Sequence, residues 1–120
     1  MVEAEKAVLD SLEHPEAAGD IPEIAAMLWL GKNRLNWDKL VDFAFRFKSQ
    51  SMIQRLGFLL DFLEIEIPIG ERQKLTSRVE KNSCYLGRPR KWGKGGKYSR
   101  FWQIVANIPE SELLAEIKIT

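Results

Sequence analysis

The sequence predicts an α+β domain, with four to five helices around one central apolar helix and a small antiparallel β-sheet at the C-terminal end. Three observations lead there. Apolar residues recur at helical spacing through the first two thirds of the chain. The stretch "SMIQRLGFLLDFLEI" is apolar around most of its circumference, as a helix must be when others pack on it. After Asn82 the apolar period falls from 3.6 to 2, the spacing of strands.

The elements follow in order. "EAEKAVLDSLEH" lines Ala4, Val8 and Leu12 on one face, with Ala7 beside them, and His14-Pro15 ends it. "DIPEIAAMLWLG" opens with Asp20 and Glu23 in capping-box relation. Pro22 sits in its first turn, where a missing N–H costs little, and Gly31 is its stop. In "NWDKLVDFAFRFK", Asn36 is the expected N-cap and Trp37, Leu40, Val41, Ala44 and Phe47 form the apolar stripe. Asp42 and Arg46 are spaced to pair on the opposite side. Gly57 lies inside the central helix at a cost of about 1 kcal/mol relative to Ala, which implies the close approach of another element. "GERQKLTSRVEKN" is a more polar helix, anchored by Ile69, Leu75 and Val79.

Beyond Asn82, "CYL" is a short strand. "FWQIVANI" is a second, with Trp102, Ile104, Ala106 and Ile108 on one face and Phe101, Gln103, Val105 and Asn107 on the other. The simplest arrangement pairs them as an antiparallel hairpin whose long arm holds Pro89, Gly93, Gly95 and Gly96. "PESELLAEIKIT" adds a short helical turn and a last strand, "EIKI".

With 120 residues, 45% of them hydrophobic and 29% charged, the chain is read as a single domain, 1–120. A net charge of +1 leaves any electrostatic function to the distribution of charge rather than its sum. That distribution is bipolar. Between Glu3 and Glu23, the acids Glu3, Glu5, Asp10, Glu13, Glu16, Asp20 and Glu23 accompany one base, Lys6, whereas no acid occurs between Lys81 and Pro109. A lone Cys84 forms no internal disulfide and suits a reducing interior. No apolar run approaches the ~18 residues that a membrane helix needs, so the expected location is the cytoplasm, without a membrane partner.

Little in the chain resembles catalytic machinery, and the expectation is a non-enzyme without cofactor or metal. "GRPRKWGKGG" misses the Walker A spacing by one residue and puts Gly95 where a magnesium-holding Ser or Thr belongs. Asp10, Ser11 and His14 crowd one helix end, whereas a triad needs groups converging from separate elements. His14 and Cys84 have no metal-ligand spacing.

The acid-free segment "GRPRKWGKGGKYSR" is the candidate site. Arg88, Arg90, Lys91, Lys94, Lys97 and Arg100 are read as phosphate contacts, with Trp92 and Tyr98 as stacking surfaces and glycines that let the backbone track a phosphate chain. A solvated loop, an acidic protein partner and self-association of the basic arm with the acidic N-terminal face are the competing readings. A protein-interaction or dimerisation module without nucleic-acid binding is the functional alternative.

The helical segments "AEKAVLDSLEHPEAAGDIPEIAAML" and "LNWDKLVDFAFRFKSQSMIQRLGFLLDFLEIEI", followed by "CYL" and "FWQIVANIP", resemble the C-terminal domain of the AbiEi family of abortive-infection antitoxins. The markers are Glu5, Lys6 and Asp10, then Pro15, Gly19 and Glu23, then Arg55, Leu56, Gly57, Leu59 and Leu60. The resemblance implies a prokaryotic transcription regulator that represses its own toxin–antitoxin operon. It implies a winged-helix DNA-binding domain ahead of this one, absent from this chain, and auxiliary contacts to operator DNA from this domain. It also implies a nucleotidyltransferase-like toxin countered without a stable toxin complex. The chain enters helical sequence almost at once, which fits the expectation of an upstream domain in a longer protein.

Overall fold

A computed structural model describes residues 3–14, 20–47, 50–79 and 82–117. The elements run α1 (Glu3–Glu13), α2 (Ile21–Gly31), α3 (Trp37–Phe47), α4 (Gln50–Phe62), α5 (Ile69–Ser77), β1 (Cys84–Tyr85), α6 (Pro89–Trp92), β2 (Lys97–Ser99), β3 (Ile104–Ala106) and α7 (Glu110–Leu113). The fold is α+β: five longer helices, two single-turn helices and a three-stranded sheet.

Helix α4 is the centre of the core. Met52, Ile53, Leu56, Leu59 and Leu60 are buried on several sides of it, and each fully buried aliphatic side chain contributes about 1.5–3 kcal/mol. The same buried cluster takes in Val8, Leu9 and Leu12 of α1, Ile24 and Leu28 of α2, Leu40, Val41 and Ala44 of α3, and Leu75 of α5, with α1 lying against α2, α3 and α4 alike. Gly57 is required by geometry. A Cβ there would lie 2.2 Å from the Trp102 ring, so the absent side chain lets the indole lie against the α4 backbone. The same indole donates its N–H to Asp61 Oδ2 at 2.7 Å, one helical turn further on.

Several helix details differ from the sequence expectation. Ala7 is exposed and Leu9 takes the buried place beside Val8 and Leu12. Ile69 is 73% exposed, because it opens α5 in a turn that faces solvent, and Glu71 and Leu75 are the buried residues of that helix. Asp42 faces Lys74 of α5 at 3.7 Å, while Arg46 lies over the Phe43 ring. Asn36 does cap α3, accepting from the Lys39 N–H at 3.1 Å. The side chains of Ala4 and Phe47 lie outside the described residues, as does most of the expected strand "EIKI".

The sheet is mixed rather than antiparallel. Its order is β1-β3-β2, with β1 parallel to β3 (Cys84 opposite Ile104) and β2 antiparallel to β3 (Tyr98 opposite Val105). The hairpin is therefore β2–β3, closed by a turn over Arg100–Gln103 that removes "FWQ" from the strand and holds Gln103 at φ 56°. "CYL" and "IVA" run the same way because the basic segment between them crosses from one edge of β3 to the other. A buried glutamine ties sheet to helix: the two N–H donors of Gln54 Nε2 are shared among the carbonyls of Asn82, Trp102 and Gln103 at 3.0, 3.0 and 2.8 Å. The Gln103 carbonyl also accepts the Cys84 N–H at 3.1 Å, while for the buried Trp102 carbonyl Gln54 supplies the donor that burial demands.

Among the described residues, no helix is long and apolar enough to cross a membrane, and no three His, Cys, Asp or Glu side chains cluster as a metal site needs.

Candidate nucleic-acid interface

The crossover from Leu86 to Gly96 begins pinned and ends open. Its pinned half is held by Asn107, a buried residue at the end of β3. Asn107 Nδ2 donates to the carbonyls of Gly87 and Gly93, and its Oδ1 accepts the Gly87 N–H, all at 2.8 Å. One amide thus clamps both ends of α6. Gly87 is needed for this packing, since a Cβ there would meet Trp92 Cδ1 at 2.5 Å and Ile108 Cδ1 at 2.7 Å.

The second anchor is Asp20, the buried residue that caps α2. Its Oδ1 accepts the Ile21 N–H at 2.8 Å. Its Oδ2 accepts the Trp92 indole N–H and meets Lys91 Nζ, both at 2.9 Å. The expected capping box is replaced by this arrangement, in which the carboxylate reaches the adjacent amide and two side chains of the crossover. Asp20 stands at φ 84°, a left-handed conformation that costs an L-residue about 1–3 kcal/mol and that these partners hold in place. Burial pushes the Asp20 carboxyl up, but the Lys91 ammonium, the Ile21 amide and the Trp92 indole outweigh it and leave the group below its ordinary value.

Two members of the sequence-predicted set are therefore committed within the fold. Lys91 neutralises Asp20, and Trp92 is half-buried with its N–H engaged, a poor platform for a nucleobase. These contacts are long-range: Asp20 is 72 positions from Trp92. One acid of the N-terminal set and one base of the acid-free run thus pair within the same molecule.

The remaining cations stay on the surface. Arg88 and Arg90 are exposed around α6, and Lys94, Lys97 and Arg100 are exposed along the open half and the β2–β3 turn. Among the described residues none of these five forms an ion pair. Tyr98 is 46% exposed and its hydroxyl donates to Gln103 Oε1 at 2.6 Å, so the ring is oriented outward on the edge strand. Phe101, which the sequence pattern assigned to a strand face, stands 58% exposed at the turn beside Arg100. It packs edge-on against Trp102, with its centroid 5.0 Å away. Its signal in the sequence was its place next to the acid-free run; Asn107 had none.

At the foot of the open half lies a cleft of about 470 Å³. One wall is Phe58 and Phe62 of α4, whose rings lie 6.2 Å apart and within 9° of parallel. The other is the β2–β3 ribbon at Lys97 and Ala106, with Gly95 at its rim and Leu113 and Glu110 of α7 below. Of the glycines here, Gly93 has φ 86°, and Gly96 would put a Cβ 2.2 Å from the Ala106 carbonyl oxygen. Both are demanded by the fold. Gly95 is not: its backbone is outside the left-handed region and a Cβ would meet nothing within 4 Å.

The Asp10, Ser11 and His14 group is split by α1, which buries Ser11 and turns Asp10 and His14 to solvent. Cys84 is half-buried in β1, and burial raises its thiol pKa, with Arg55 opposing the shift. Comparison of the chain with protein-family models, with curated proteins and with solved structures finds no match.

Proposed function

We propose that this domain contacts nucleic-acid phosphates through the basic crossover, as the accessory C-terminal half of an AbiEi-like antitoxin and autorepressor. The observation that carries the reading is the exposure of Arg88, Arg90, Lys94, Lys97 and Arg100 on one segment, without an acidic partner among the described residues. Asn107 and Asp20 hold the base of that segment, so the cations are presented on a fixed support.

Such contacts work by counterion release. Each phosphate neutralised steepens the fall of log K with log salt by about 0.9 for duplex DNA, so five engaged cations set an upper slope of roughly −4 to −5. These contacts position a protein without reading bases, the task expected of an auxiliary domain beside a winged helix. On the same resemblance, operator DNA is the partner and a nucleotidyltransferase-like toxin is countered without a stable complex.

The test is duplex binding at several ionic strengths for the wild type and for a variant with Arg88, Arg90, Lys94, Lys97 and Arg100 all changed to Ala. The reading expects a steep salt dependence in the first and a nearly flat, weak response in the second. Equal, salt-insensitive binding by both would instead favour the protein-interaction alternative.

A further inference from the structure

The cleft between α4 and the β2–β3 ribbon has a size typical of a small-molecule site, which spans about 300–1,000 Å³. Its composition narrows the ligand. Two near-parallel phenyl rings and the aliphatic surfaces of Ala106 and Leu113 favour a flat, apolar ring. Lys97 belongs to the same wall, and Lys94 and Arg100 lie just before and after it in the acid-free run, which favours an anion at the mouth. A ring joined to an anion is the chemistry of a nucleotide. Gly95 lines the cleft and has open space where a side chain would stand, so a larger residue can be placed there without crowding the fold.

We propose that this cleft is a nucleotide subsite. The base lies against Phe58 and Phe62, Lys97 meets its phosphate, and the Glu110 carboxylate accepts from an exocyclic amine, which selects cytosine, adenine or guanine over thymine or uracil. The inference rests on the reading of the crossover as a phosphate grip and deepens it. A base stacked in a cleft must be unpaired, so the nucleic acid gripped is single-stranded at this point. The shared chemistry of a free nucleotide and of one unit in a strand is the same, and only the strand also engages Arg88 and Arg90.

The experiment measures binding of fluorescein-labelled oligodeoxycytidine and oligodeoxythymidine by anisotropy, with free cytidine monophosphate followed by amide chemical shifts. The variants are Gly95→Leu, which obstructs the rim, Phe58→Leu, which keeps apolar volume but removes a ring, and the five-cation variant. Gly95→Leu should unfold like the wild type, because its position is open. It should weaken oligodeoxycytidine binding by about tenfold, the scale of one lost stacked base, while leaving the salt slope intact. Phe58→Leu should act in the same direction, and the five-cation variant should flatten the slope. Shifts at Gly96 and Ala106 with cytidine monophosphate, abolished in Gly95→Leu, assign the site to free nucleotide as well as strand. Oligomer binding without them assigns it to strand alone. If Gly95→Leu and Phe58→Leu both bind oligodeoxycytidine as the wild type does while the five-cation variant does not, the cleft is not the subsite and the phosphate grip stands. A wild type that binds neither oligomer nor nucleotide overturns the subsite, while the duplex titration separately decides the phosphate grip.

Discussion

Trp92 donates its indole N–H to Asp20 at 2.9 Å, tying the start of the basic crossover to the cap of α2 across 72 positions of sequence. Asp20 accepts at the same time from Ile21 and Lys91, so one carboxylate serves as helix cap, indole acceptor and counter-ion. Asp20→Ala should destabilise the domain by about 2–4 kcal/mol, the sum of a lost cap and unpaired buried donors. Asp20→Asn should cost less, because a side chain of the same shape keeps an oxygen acceptor at the cap. Denaturant unfolding distinguishes the two.

The same carboxylate gives the domain a sensitivity to acid. Its folded pKa is depressed, so the stabilisation is fully present above the unfolded aspartate value and is lost as pH falls through the folded one. The midpoint of urea unfolding should therefore drop below about pH 4. In Asp20→Asn that part of the drop should vanish.

Lysines that look alike in the sequence should behave differently. Lys91→Ala removes the ammonium from a buried carboxylate and should cost about 1 kcal/mol, reduced by its half-exposed position. Lys94→Ala, at an exposed position without an ion pair among the described residues, should leave the unfolding midpoint unchanged. Thermal melts of the two single variants decide the matter. Only Lys94→Ala is expected to act through ligand binding alone.

Gly57→Ala tests how closely Trp102 lies on α4. Helix propensity alone favours alanine by about 1 kcal/mol, but the new Cβ would sit 2.2–2.5 Å from three ring atoms of the indole. Overpacking of about 1–3 kcal/mol or more should prevail, with the indole forced away from Asp61. The readouts are a lower unfolding midpoint and a changed Trp fluorescence.

Gln54 is the remaining polar anchor, 1% exposed and sharing its two N–H donors among three carbonyls. Gln54→Leu should cost about 1–3 kcal/mol, because the Trp102 and Gln103 carbonyls lose a buried donor. Gln54→Glu should be worse at neutral pH, since a carboxylate can only accept and would face oxygen atoms. Equilibrium unfolding of the pair gives the order.

Much of the helical half was legible from periodicity. Val8, Leu12, Leu40, Val41, Ala44 and Leu56 fall on the buried faces that their spacing implied, and Gly57 marks a close contact as a mid-helix glycine suggests. Ala7 and Ile69 were misplaced because spacing defines a stripe but not its width, nor whether a helix's first turn reaches the core. For the site, exposure of Arg88, Arg90, Lys94, Lys97 and Arg100 agrees with their charge and lack of acidic neighbours in sequence.

The sequence by itself determined the helical core, the shift to strands after Asn82 and the separation of acid from base along the chain, because each is a local pattern of side-chain chemistry. Tertiary structure alone decided that β1 and β3 are parallel, that the basic segment is a crossover rather than a hairpin arm, and that Lys91 and Trp92 belong to Asp20. It also brought Phe58 and Phe62 opposite Lys97 to form a cleft. The physical reason is the same in every case. Strand direction, an ion pair across 71 positions and an indole hydrogen bond across 72, and cleft formation depend on which distant segments meet, and no periodicity within a window of residues encodes that meeting.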